Sequence, residues 1–385
     1  MTVPAADLLA WTRARTPDLF ALLQELVEIE SPSTHAGGVS AVADRLAPEL
    51  ESVGLRVERV PVDGAGPILR ADNGKAARPV MLLGHLDTVW PLGTLAGRPA
   101  RLQGDRLFGP GSFDMKAGLV VATCALRALA AHGPLPGVTV FFTPLEEVDC
   151  EPYRARMESA MKSSAAVLGF EPAWPGGAVK TRRKGSGAVT LRAHGRAAHA
   201  GADFDKGRNA IVELARRCLE ADALTDLDRG VTVNVGVIRG GIRSNVVPEL
   251  AEAEVDFRVR TLDDGRRVES ALRALRSGDP GVSLQVEGGL HYPPLERTPG
   301  VARVYAAARA VAAEMGLELE EVSTGGASEA AFAAALGVPT LDGLGADGDG
   351  AHAEDEHVLI PSLPERAALA AGLIARLAAE APPAP

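Results

Sequence analysis

Val80-Met81-Leu82-Leu83-Gly84-His85-Leu86-Asp87 is the stretch that decides the fold, with four apolar residues and a glycine followed by a histidine and an aspartate. Such a run, without alternation of polar residues, is typical of a strand buried on both faces of a partly parallel sheet. Similar runs occur at 138–142 and 165–169, and an apolar helix is predicted at 115–132. This order of strands and helices predicts an α/β fold with a mixed sheet.

Two changes of pattern along the chain predict one domain inserted into another. From about residue 181 the predicted strands 188–194 and 231–238 alternate apolar and polar residues, as strands with one exposed face do. From about residue 292 the earlier pattern returns, ending in a helix at 364–378. We therefore predict a first domain in two parts, 1–180 and 292–385, and an inserted α+β domain at 181–291.

The composition excludes several classes of protein. The 385 residues include 40 basic and 50 acidic ones, a formal net charge of −10, which gives no electrostatic attraction to nucleic acid. The most apolar predicted helix is too short to cross a bilayer, and the N-terminus lacks a signal-peptide pattern. The three cysteines form no C-x-x-C pair, which favours a reducing compartment. We expect a two-domain cytoplasmic protein without membrane or nucleic-acid partners.

His85 and Asp87 directly follow the decisive strand. Because side chains alternate along an extended backbone, these two project to one side and Leu86 to the other. A histidine that binds metal is usually oriented by such a carboxylate. Taken alone, the pair is more often a hydrogen-bonded strand end, so the metal interpretation depends on the other acids of the chain.

Further acids stand at turns. Asp114 lies in a glycine-rich turn, 109–118, that opens the long apolar helix, where an N-cap is the simpler interpretation. Glu146 and Glu147 follow the strand 138–142, at the kind of strand end where α/β sheets bind ligands. Adjacent side chains diverge, so one glutamate could bind metal while the other transfers protons; an exposed acidic turn is the alternative.

Glu171 follows a third apolar strand, and His352 lies in the returning C-terminal segment. With His85, Asp114 and Glu147 they form a set of two histidines and three carboxylates. Two Zn²⁺ ions would add four positive charges to three negative ones, and one hydroxide would balance the remaining charge. Without metal, the acids of such a cleft would repel one another. The set therefore predicts a dinuclear metal centre.

At this point the sequence resembles a known family, the dinuclear zinc aminoacylases and carboxypeptidases. That family includes bacterial glutamate carboxypeptidase, acetylornithine deacetylase and succinyl-diaminopimelate desuccinylase, and the resemblance to the first is strongest. The resemblance covers nearly the whole chain and rests on seven motifs in the family's order: G-H-L-D-T-V (84–89), D-M-K-A-G (114–118), E-E (146–147), F-E-P (170–172), G-R-A-A-H-A-G (195–201), S-N-V-V-P (244–248) and T-G-G-A-S-E-A (324–330).

The resemblance implies a ligand set for two Zn²⁺ ions, with Co²⁺ or Mn²⁺ able to substitute. In that set Asp114 bridges both ions, His85 and Glu171 complete the ligands of one, and Glu147 and His352 complete those of the other. The implied fold is a mixed-sheet zinc exopeptidase catalytic domain, with the inserted domain serving as a dimerisation or lid domain.

The resemblance also implies how protons are handled. Asp87 would hold the His85 ring, and Glu146 would be the general base that takes a proton from the attacking water and passes it to the leaving amine. No covalent nucleophile is needed. Relatives tend to have a cis peptide after the bridging aspartate, and we expect one between Asp114 and Met115.

In similar enzymes a histidine of the inserted domain crosses from the partner subunit to stabilise the oxyanion, which implies a homodimer with His199 acting in trans. Considered without the resemblance, His194 would be an equal candidate. Asn245 and Arg258 also match substrate-binding positions, and a guanidinium can bind a free carboxylate through two parallel hydrogen bonds. A strand-surface ion pair is the alternative for Arg258.

The loop Gly325-Gly326-Ala327-Ser328 is expected to bring its backbone close to the substrate carboxylate, with contacts from Gly325, Gly326 and Ser328. Relatives usually have aspartate after the serine, whereas this chain has Glu329.

Two other functions can be built from the same sequence. Ser328, Asp342 and His352 follow the order of an α/β-hydrolase triad, but a serine hydrolase leaves the other ligands unused and lacks the strand expected before the serine. A metal-free scaffold on the same fold is the second alternative, and the presence of Glu146 and all five ligands argues against it.

We therefore predict a zinc-dependent metallopeptidase of the glutamate carboxypeptidase type that releases a C-terminal amino acid from a peptide or N-acyl amino acid. An N-acyl-amino-acid deacylase of the acetylornithine deacetylase or desuccinylase type is the first alternative. Carbamoyl-hydrolysing relatives rank last because they usually have a shorter turn where this chain has 114–118.

Overall fold

A computed structural model describes residues 3–380 of the chain and divides it into two units. The first takes Met1–Thr181, Arg297–Ser323 and Ser328–Pro385, and the second takes Arg182–Glu296 and Thr324–Ala327. Residues 1–2 and 381–385, which the predicted two-part domain includes, lie outside the described residues. No helix among the residues described is both long and apolar enough to cross a membrane.

The secondary structure is numbered in chain order. The helices are α1 (Ala5–Arg13), α2 (Thr16–Val27), α3 (Ala36–Ser52), α4 (Thr94–Gly97), α5 (Ala117–His132), α6 (Glu151–Lys162), α7 (Ala210–Asp222), α8 (Leu262–Arg273), α9 (Pro299–Glu314), α10 (Ala330–Ala335) and α11 (Ser362–Glu380). The strands are β1 (Arg56–Val60), β2 (Ile68–Asp72), β3 (Val80–His85), β4 (Arg101–Gln103), β5 (Arg106–Phe108), β6 (Val138–Thr143), β7 (Ala166–Gly169), β8 (Val179–Arg183), β9 (Gly185–His194), β10 (Ala198–His199), β11 (Thr232–Gly240), β12 (Val246–Val247), β13 (Leu250–Val259), β14 (Ser283–Tyr292), β15 (Glu321–Thr324), β16 (Thr340–Leu341), β17 (Gly348–Asp349) and β18 (His357–Leu359).

The first unit is built on a six-stranded mixed sheet in the order β1-β2-β6-β3-β7-β16. Strands β6, β3, β7 and β16 run parallel, and β2 and β1 continue the sheet in antiparallel pairing. All six residues of β3 and all six of β6 are buried, as expected of strands covered on both faces. The predicted mixed-sheet α/β fold is confirmed.

Helix α5 packs against this sheet and so places the turn that precedes it near the ends of the strands. Its buried residues include Leu119, Val120, Val121 and Ala122 in succession, so the helix is enclosed on nearly every side, and α11 packs along it. At Gly118 a β-carbon would lie 1.9 Å from the carbonyl oxygen of Phe170, so only glycine allows this approach. The start of α5 therefore lies directly against the chain that follows β7.

The second unit has a four-stranded antiparallel sheet in the order β11-β13-β9-β14 and a short pair, β10 with β12. Buried and less buried residues alternate along β9 and β13, so one face of the sheet is packed and the other is more open. Residues of α7 and α8, including Leu214 and Leu272, share a core with the packed face. This unit is α+β.

Candidate metal centre

Three parallel strands end side by side at one edge of the first sheet. β3 lies between β6 and β7, and His85, the last residue of β3, pairs with Thr143, the last residue of β6. The chain after β6 carries Glu146 and Glu147, and the chain after β7 carries Glu171. Ligands of α/β proteins bind at the carboxyl ends of such strands. The order of the strands thus explains why these residues meet.

Asp114 reaches the same edge from the turn that precedes α5. This turn, Ser112–Lys116, is a short π-helical turn whose backbone is not helical at Asp114, where φ is −111° and ψ is 99°. The peptide bond between Asp114 and Met115 is cis, which confirms the prediction. Helix α5 begins only at Ala117, with Lys116 at its N-cap, so Asp114 is not the helix cap that its position in the sequence suggested.

The carboxylate of Asp114 lies between two histidines. Its Oδ1 is 3.3 Å from Nε2 of His85, and its Oδ2 is 3.4 Å from Nε2 of His352. Each carboxylate oxygen therefore faces a different imidazole. A carboxylate that presents one oxygen to each of two cations has the geometry of a bridge in a two-metal site.

Glu171 and Glu147 stand at the two ends of this row. Oε1 of Glu171 is 3.7 Å from Nε2 of His85, and Oε2 of Glu147 is 3.2 Å from Nε2 of His352. Ligand atoms of His85, Asp114 and Glu147 all lie within 4.8 Å of one another. The structure thus brings all five predicted ligand residues into one row: Glu171, His85, Asp114, His352 and Glu147.

One atom of the row lacks a protein partner. Oε1 of Glu147 is buried and accepts no hydrogen bond, a costly condition for a carboxylate oxygen. A divalent cation at this position would satisfy it. Imidazole nitrogens and carboxylate oxygens are also ligands that Zn²⁺ accepts. The residues therefore fit a metal centre.

The backbone of His352 is unusual. Among residues 3–380 it is the non-glycine residue with a left-handed conformation, at φ 62°. This region is sparsely populated for residues with a β-carbon, and such positions concentrate at functional sites. In this conformation the half-exposed side chain of His352 contacts both Asp114 and Glu147.

The histidines and carboxylates of the row shift one another's pKa values. Burial acts to lower the pKa of His85, but the contacts with Asp114 and Asp87 raise it well above its ordinary value. Hydrogen bonds to Asp114 and Glu147 raise the pKa of His352 to about 10. Burial acts to raise the pKa of Asp114, yet His352 and His85 hold it below its usual range. Asp114 is therefore a carboxylate, which is the form that binds metal.

Asp87 organises the residues beside the first histidine. Its buried carboxylate accepts hydrogen bonds from the Ser33 hydroxyl at 2.6 Å and from the backbone N–H groups of Glu146 and Glu147 at 3.2 and 3.3 Å. Nδ1 of His85 lies 3.0 Å from the backbone oxygen of Asp87 and 3.4 Å from its Oδ1. Asp87 therefore contacts both His85 and the turn that carries the two glutamates, and the sequence had suggested only the first contact.

Glu146 has the electrostatic setting of a proton-transfer group. Burial raises the pKa of its carboxyl well above the ordinary value, and the negative charges of Glu171 and Glu147 raise it further. A carboxyl with a raised pKa accepts a proton more readily than an ordinary glutamate does, which suits a group that takes up a proton and returns it.

His199 and Asn245 come together in the second unit. His199 pairs with Val246 in the β10–β12 ladder, and the N–H of Ala200 donates to the backbone oxygen of Asn245 at 3.1 Å. Nδ1 of His199 accepts the backbone N–H groups of Gly201 and Ala202 at 3.1 and 3.0 Å. Nδ1 must then lack a proton, so the neutral ring carries it on Nε2, and the exposed side chain offers an N–H donor.

Arg258 is engaged by a neighbour on its own strand. Its Nε and Nη2 donate to the two carboxylate oxygens of Asp256, both at 2.9 Å. The two residues are two positions apart on β13, so their side chains share one face of the sheet. In this structure Arg258 has Asp256 as its bidentate partner. The two form the strand-surface ion pair that the sequence analysis kept as the alternative.

The glycine loop is divided between exposed and buried residues. Gly325 and Gly326 are exposed, and Arg183 donates to the backbone oxygens of Gly326 and Ala327 at 3.2 and 3.1 Å. Ser328 is fully buried, and its hydroxyl donates to Asp342 at 2.7 Å. The Ser328 side chain therefore faces the core.

The serine-hydrolase alternative requires Ser328 to donate to a histidine. Its hydroxyl donates to Asp342 instead, and His352 is engaged by the two carboxylates of the metal row. The Ser328 side chain is also fully buried. The geometry does not form a Ser-His-Asp triad.

Two buried glutamates support the site, and sequence reasoning gave neither a role. Glu329, noted in the sequence only as a departure from relatives, accepts the hydroxyls of Thr143 and Tyr153, which bracket the turn that carries Glu146 and Glu147. Burial raises its pKa to about 7. Glu356 accepts hydrogen bonds from the turn that carries Asp114. Nothing in the run 350–356 distinguishes this acid from its neighbours.

Comparisons with known proteins show the family to which the chain belongs. Residues 81–376 match the peptidase family M20/M25/M40. The chain is 31% identical to carboxypeptidase G2 of Pseudomonas sp. (strain RS-16), over 94% of this chain and 90% of that protein. It is 28% identical to succinyl-diaminopimelate desuccinylase of Corynebacterium glutamicum, over 95% of this chain and 96% of that protein.

The fold is also similar to that of the YXEP protein of Bacillus subtilis, described as a dinuclear metal binding peptidase of the M20 family. The TM-score is 0.69 at 15% identity, and the match covers 95% of this chain and 99% of that one.

Proposed function

Because this chain belongs to peptidase family M20/M25/M40 and is a metal-dependent amide hydrolase, we propose that it releases a C-terminal amino acid from a peptide or an N-acyl amino acid. The observation that carries the proposal is the position of Asp114, whose two oxygens face His85 and His352 separately. The similarity to carboxypeptidase G2 supports the carboxypeptidase reaction.

In the proposed centre Asp114 would contribute to the binding of both of two Zn²⁺ ions, with His85 and Glu171 serving one and Glu147 and His352 serving the other. When bound, such ions lower the pKa of a water molecule and polarise the scissile carbonyl. Asp87 keeps the His85 ring in place through its carbonyl and carboxylate oxygens.

Glu146 carries the proton in this reaction. Its carboxylate accepts a proton from the attacking water, and the carboxylic acid then donates that proton to the nitrogen of the leaving amine. Asp87 holds the backbone of Glu146, so the base is fixed relative to His85. Proton transfer by a positioned group contributes about 10²–10⁴-fold in rate.

The substrate carboxylate is assigned to Arg258, with Asn245 and the exposed backbone of Gly325 and Gly326 as further contacts. Arg258 holds a carboxylate already, that of Asp256, and this pair is about two-fifths exposed. A substrate carboxylate could replace Asp256 on the same two donors, because the fork geometry suits any carboxylate.

We assign the second unit to dimerisation with another copy of the chain. β11 is an edge strand of its sheet, and a solvent-exposed edge is open to pairing with another chain. Exposed apolar side chains lie on this strand and around two grooves that share Ile242: Phe204, Ile211, Val212, Ile238, Ile242 and Leu250. An exposed apolar patch beside an open sheet edge suits a self-complementary interface.

A cytoplasmic location is also part of the proposal. Cys124, Cys150 and Cys218 are all buried free thiols, as expected in a reducing compartment.

Demetallation tests the proposed function directly. Dialysis against a chelator is expected to abolish hydrolysis of dipeptides and N-acyl amino acids, and two equivalents of Zn²⁺ per chain should restore it. Metal content is measured on the same samples, with a serine-directed fluorophosphonate as a control that should have no effect. Undiminished hydrolysis after thorough removal of metal would overturn the proposal.

A comparison of substrates separates the two substrate classes. The similarity to a succinyl-diaminopimelate desuccinylase favours N-acyl-amino-acid deacylation as the second candidate. Substrates that share one C-terminal amino acid but differ in the group on its nitrogen are compared by kcat/KM. Preference for peptidyl groups supports the carboxypeptidase, and preference for small acyl groups supports the deacylase.

His199→Ala is expected to lower turnover by about 10²–10³-fold without loss of metal, because an oxyanion donor is removed. His194→Ala is the matched control, since His194 is also an exposed histidine of the second unit. Activity and metal content are measured for both variants. Unchanged turnover in His199→Ala would assign that residue to structure.

The trans arrangement has its own test. His199→Ala and Glu146→Gln chains are mixed under conditions that exchange subunits. If His199 serves the partner's site, each mixed dimer has one intact site, and about a quarter of wild-type activity returns because half of the dimers are mixed. If it acts within its own chain, no activity returns.

A further inference from the structure

Glu356 is a buried carboxylate that accepts four hydrogen bonds. Its Oε1 accepts the backbone N–H groups of Phe113 and Asp114, both at 3.0 Å. Its Oε2 accepts the backbone N–H of Gly111 at 2.8 Å and the indole N–H of Trp90 at 2.7 Å. The residue is only 1% exposed, so these bonds replace the water that the carboxylate loses.

Three of the four donors belong to the turn that carries the bridging aspartate. Gly111 has a left-handed backbone, at φ 70°, and Asp114 has a non-helical one. This conformation directs three backbone N–H groups to one point, where the Glu356 carboxylate lies. A side chain from elsewhere in the sequence therefore holds the turn, in addition to the bond from the N–H of Ala117, the first residue of α5, to the backbone oxygen of Ser112.

Glu356 also belongs to the segment that supplies His352. Its backbone N–H donates to Ala353 at 3.1 Å, and its backbone oxygen accepts from Gly109 at 3.3 Å. The residue thus joins the loop of His352 to the turn of Asp114, although Glu356 and Asp114 are 242 residues apart in sequence. The two predicted ligands that Glu356 joins are neighbours, because Oδ2 of Asp114 lies 3.4 Å from Nε2 of His352.

We propose that Glu356 is a positioning residue of the metal centre, which fixes the backbone of Asp114 relative to His352. It touches neither substrate nor metal in this proposal. Residues that orient ligands act by holding them in one geometry, and their loss typically lowers metal affinity or activity by about 10–100-fold. The inference rests on the proposed dinuclear centre.

Glu356→Gln is the test. The amide oxygen can still accept two of the N–H groups, but the NH₂ group then faces the other two donors, so half of the contacts are lost. We expect the affinity of the metal-free protein for Zn²⁺, measured by competition with a chromophoric chelator, to fall about 10–100-fold. At saturating Zn²⁺, kcat should recover to within about threefold of wild type.

Glu354→Gln is the matched control. Glu354 is an exposed acid of the same loop, so this variant removes the same charge but none of the four hydrogen bonds. Its Zn²⁺ affinity should equal that of wild type. An equal loss of affinity in both variants would mean that the loop acts only through its charge, and unchanged affinity in Glu356→Gln would also overturn the proposal.

Trp90→Phe provides a second test should Glu356→Gln not fold, which circular dichroism of the metal-free protein decides. This variant keeps the carboxylate and an aromatic side chain and removes the indole donor, together with part of the ring on which Arg98 stacks. We expect a loss of about threefold to tenfold in Zn²⁺ affinity, and unchanged affinity would overturn the proposal. Absence of metal binding by the wild-type chain would instead overturn the proposed function.

Discussion

Glu146→Gln is expected to leave both metal ions bound and to lower turnover by about 10²–10⁴-fold. Glutamine has nearly the same size as glutamate, but its carboxamide cannot accept a proton from water. Glu146 is not one of the five ligand residues, and the bond from its backbone N–H to Asp87 does not involve the side chain. The reaction should therefore fail at proton transfer while the centre stays assembled.

Steady-state kinetics and metal analysis of the same preparation check this expectation. Glu151→Gln is the matched control, because Glu151 is an exposed acid in the first turn of α6, a few residues along the chain. The control should keep wild-type turnover and metal content. Retained activity in Glu146→Gln would remove it as the base, and loss of metal would show that it is a ligand.

The decisive strand shows why much of the fold could be predicted. A run of apolar residues can satisfy its backbone only in a sheet or helix core, and all of Val80–His85 is buried. Once β3, β6 and β7 are known to be parallel, the residues that follow them must share one edge. The positions of His85, Glu147 and Glu171 follow from that rule.

The hydrogen bonds that hold the site in place could not be predicted in the same way. Glu354 and Glu356 are both acids of one short segment, and only the tertiary fold decides that the second points inward to three backbone N–H groups. Asp114 illustrates the converse, because its position before a helix suggested a cap. The N–H groups of that turn are directed at Glu356, so its own carboxylate is left to face the histidines.

The ion pair of Arg258 was an alternative that the sequence analysis kept, and the structure forms it with Asp256. Residues two apart on a strand share a face, so an acid and an arginine at that spacing are close enough to pair. The resemblance to known enzymes implied a substrate carboxylate as the other partner of Arg258. The spacing on the strand gives Asp256 as the partner of the Arg258 guanidinium, and the resemblance gives a substrate carboxylate. Binding of substrate decides between these two partners.

Asp114→Asn is expected to weaken binding of both metal ions and to lower activity by at least about 10³-fold. Each oxygen of Asp114 faces one histidine, so the replacement of one oxygen by NH₂ and the loss of charge affect both sides of the centre. The fold should survive, because an amide can still form hydrogen bonds to the two imidazoles. Metal content after gel filtration, turnover and the melting temperature of the metal-free protein are measured together.

Glu171→Gln is the variant with which the metal loss of Asp114→Asn is compared. Glu171 lies beside His85, on one side of the proposed centre, so its loss should release one ion of the two and leave the other. Added Zn²⁺ stabilises the wild type against heat because it binds the folded state, and this stabilisation should be nearly absent in Asp114→Asn and partial in Glu171→Gln. If Asp114→Asn released only one ion, as Glu171→Gln does, Asp114 would be an ordinary ligand and the two histidines would belong to separately assembled sites.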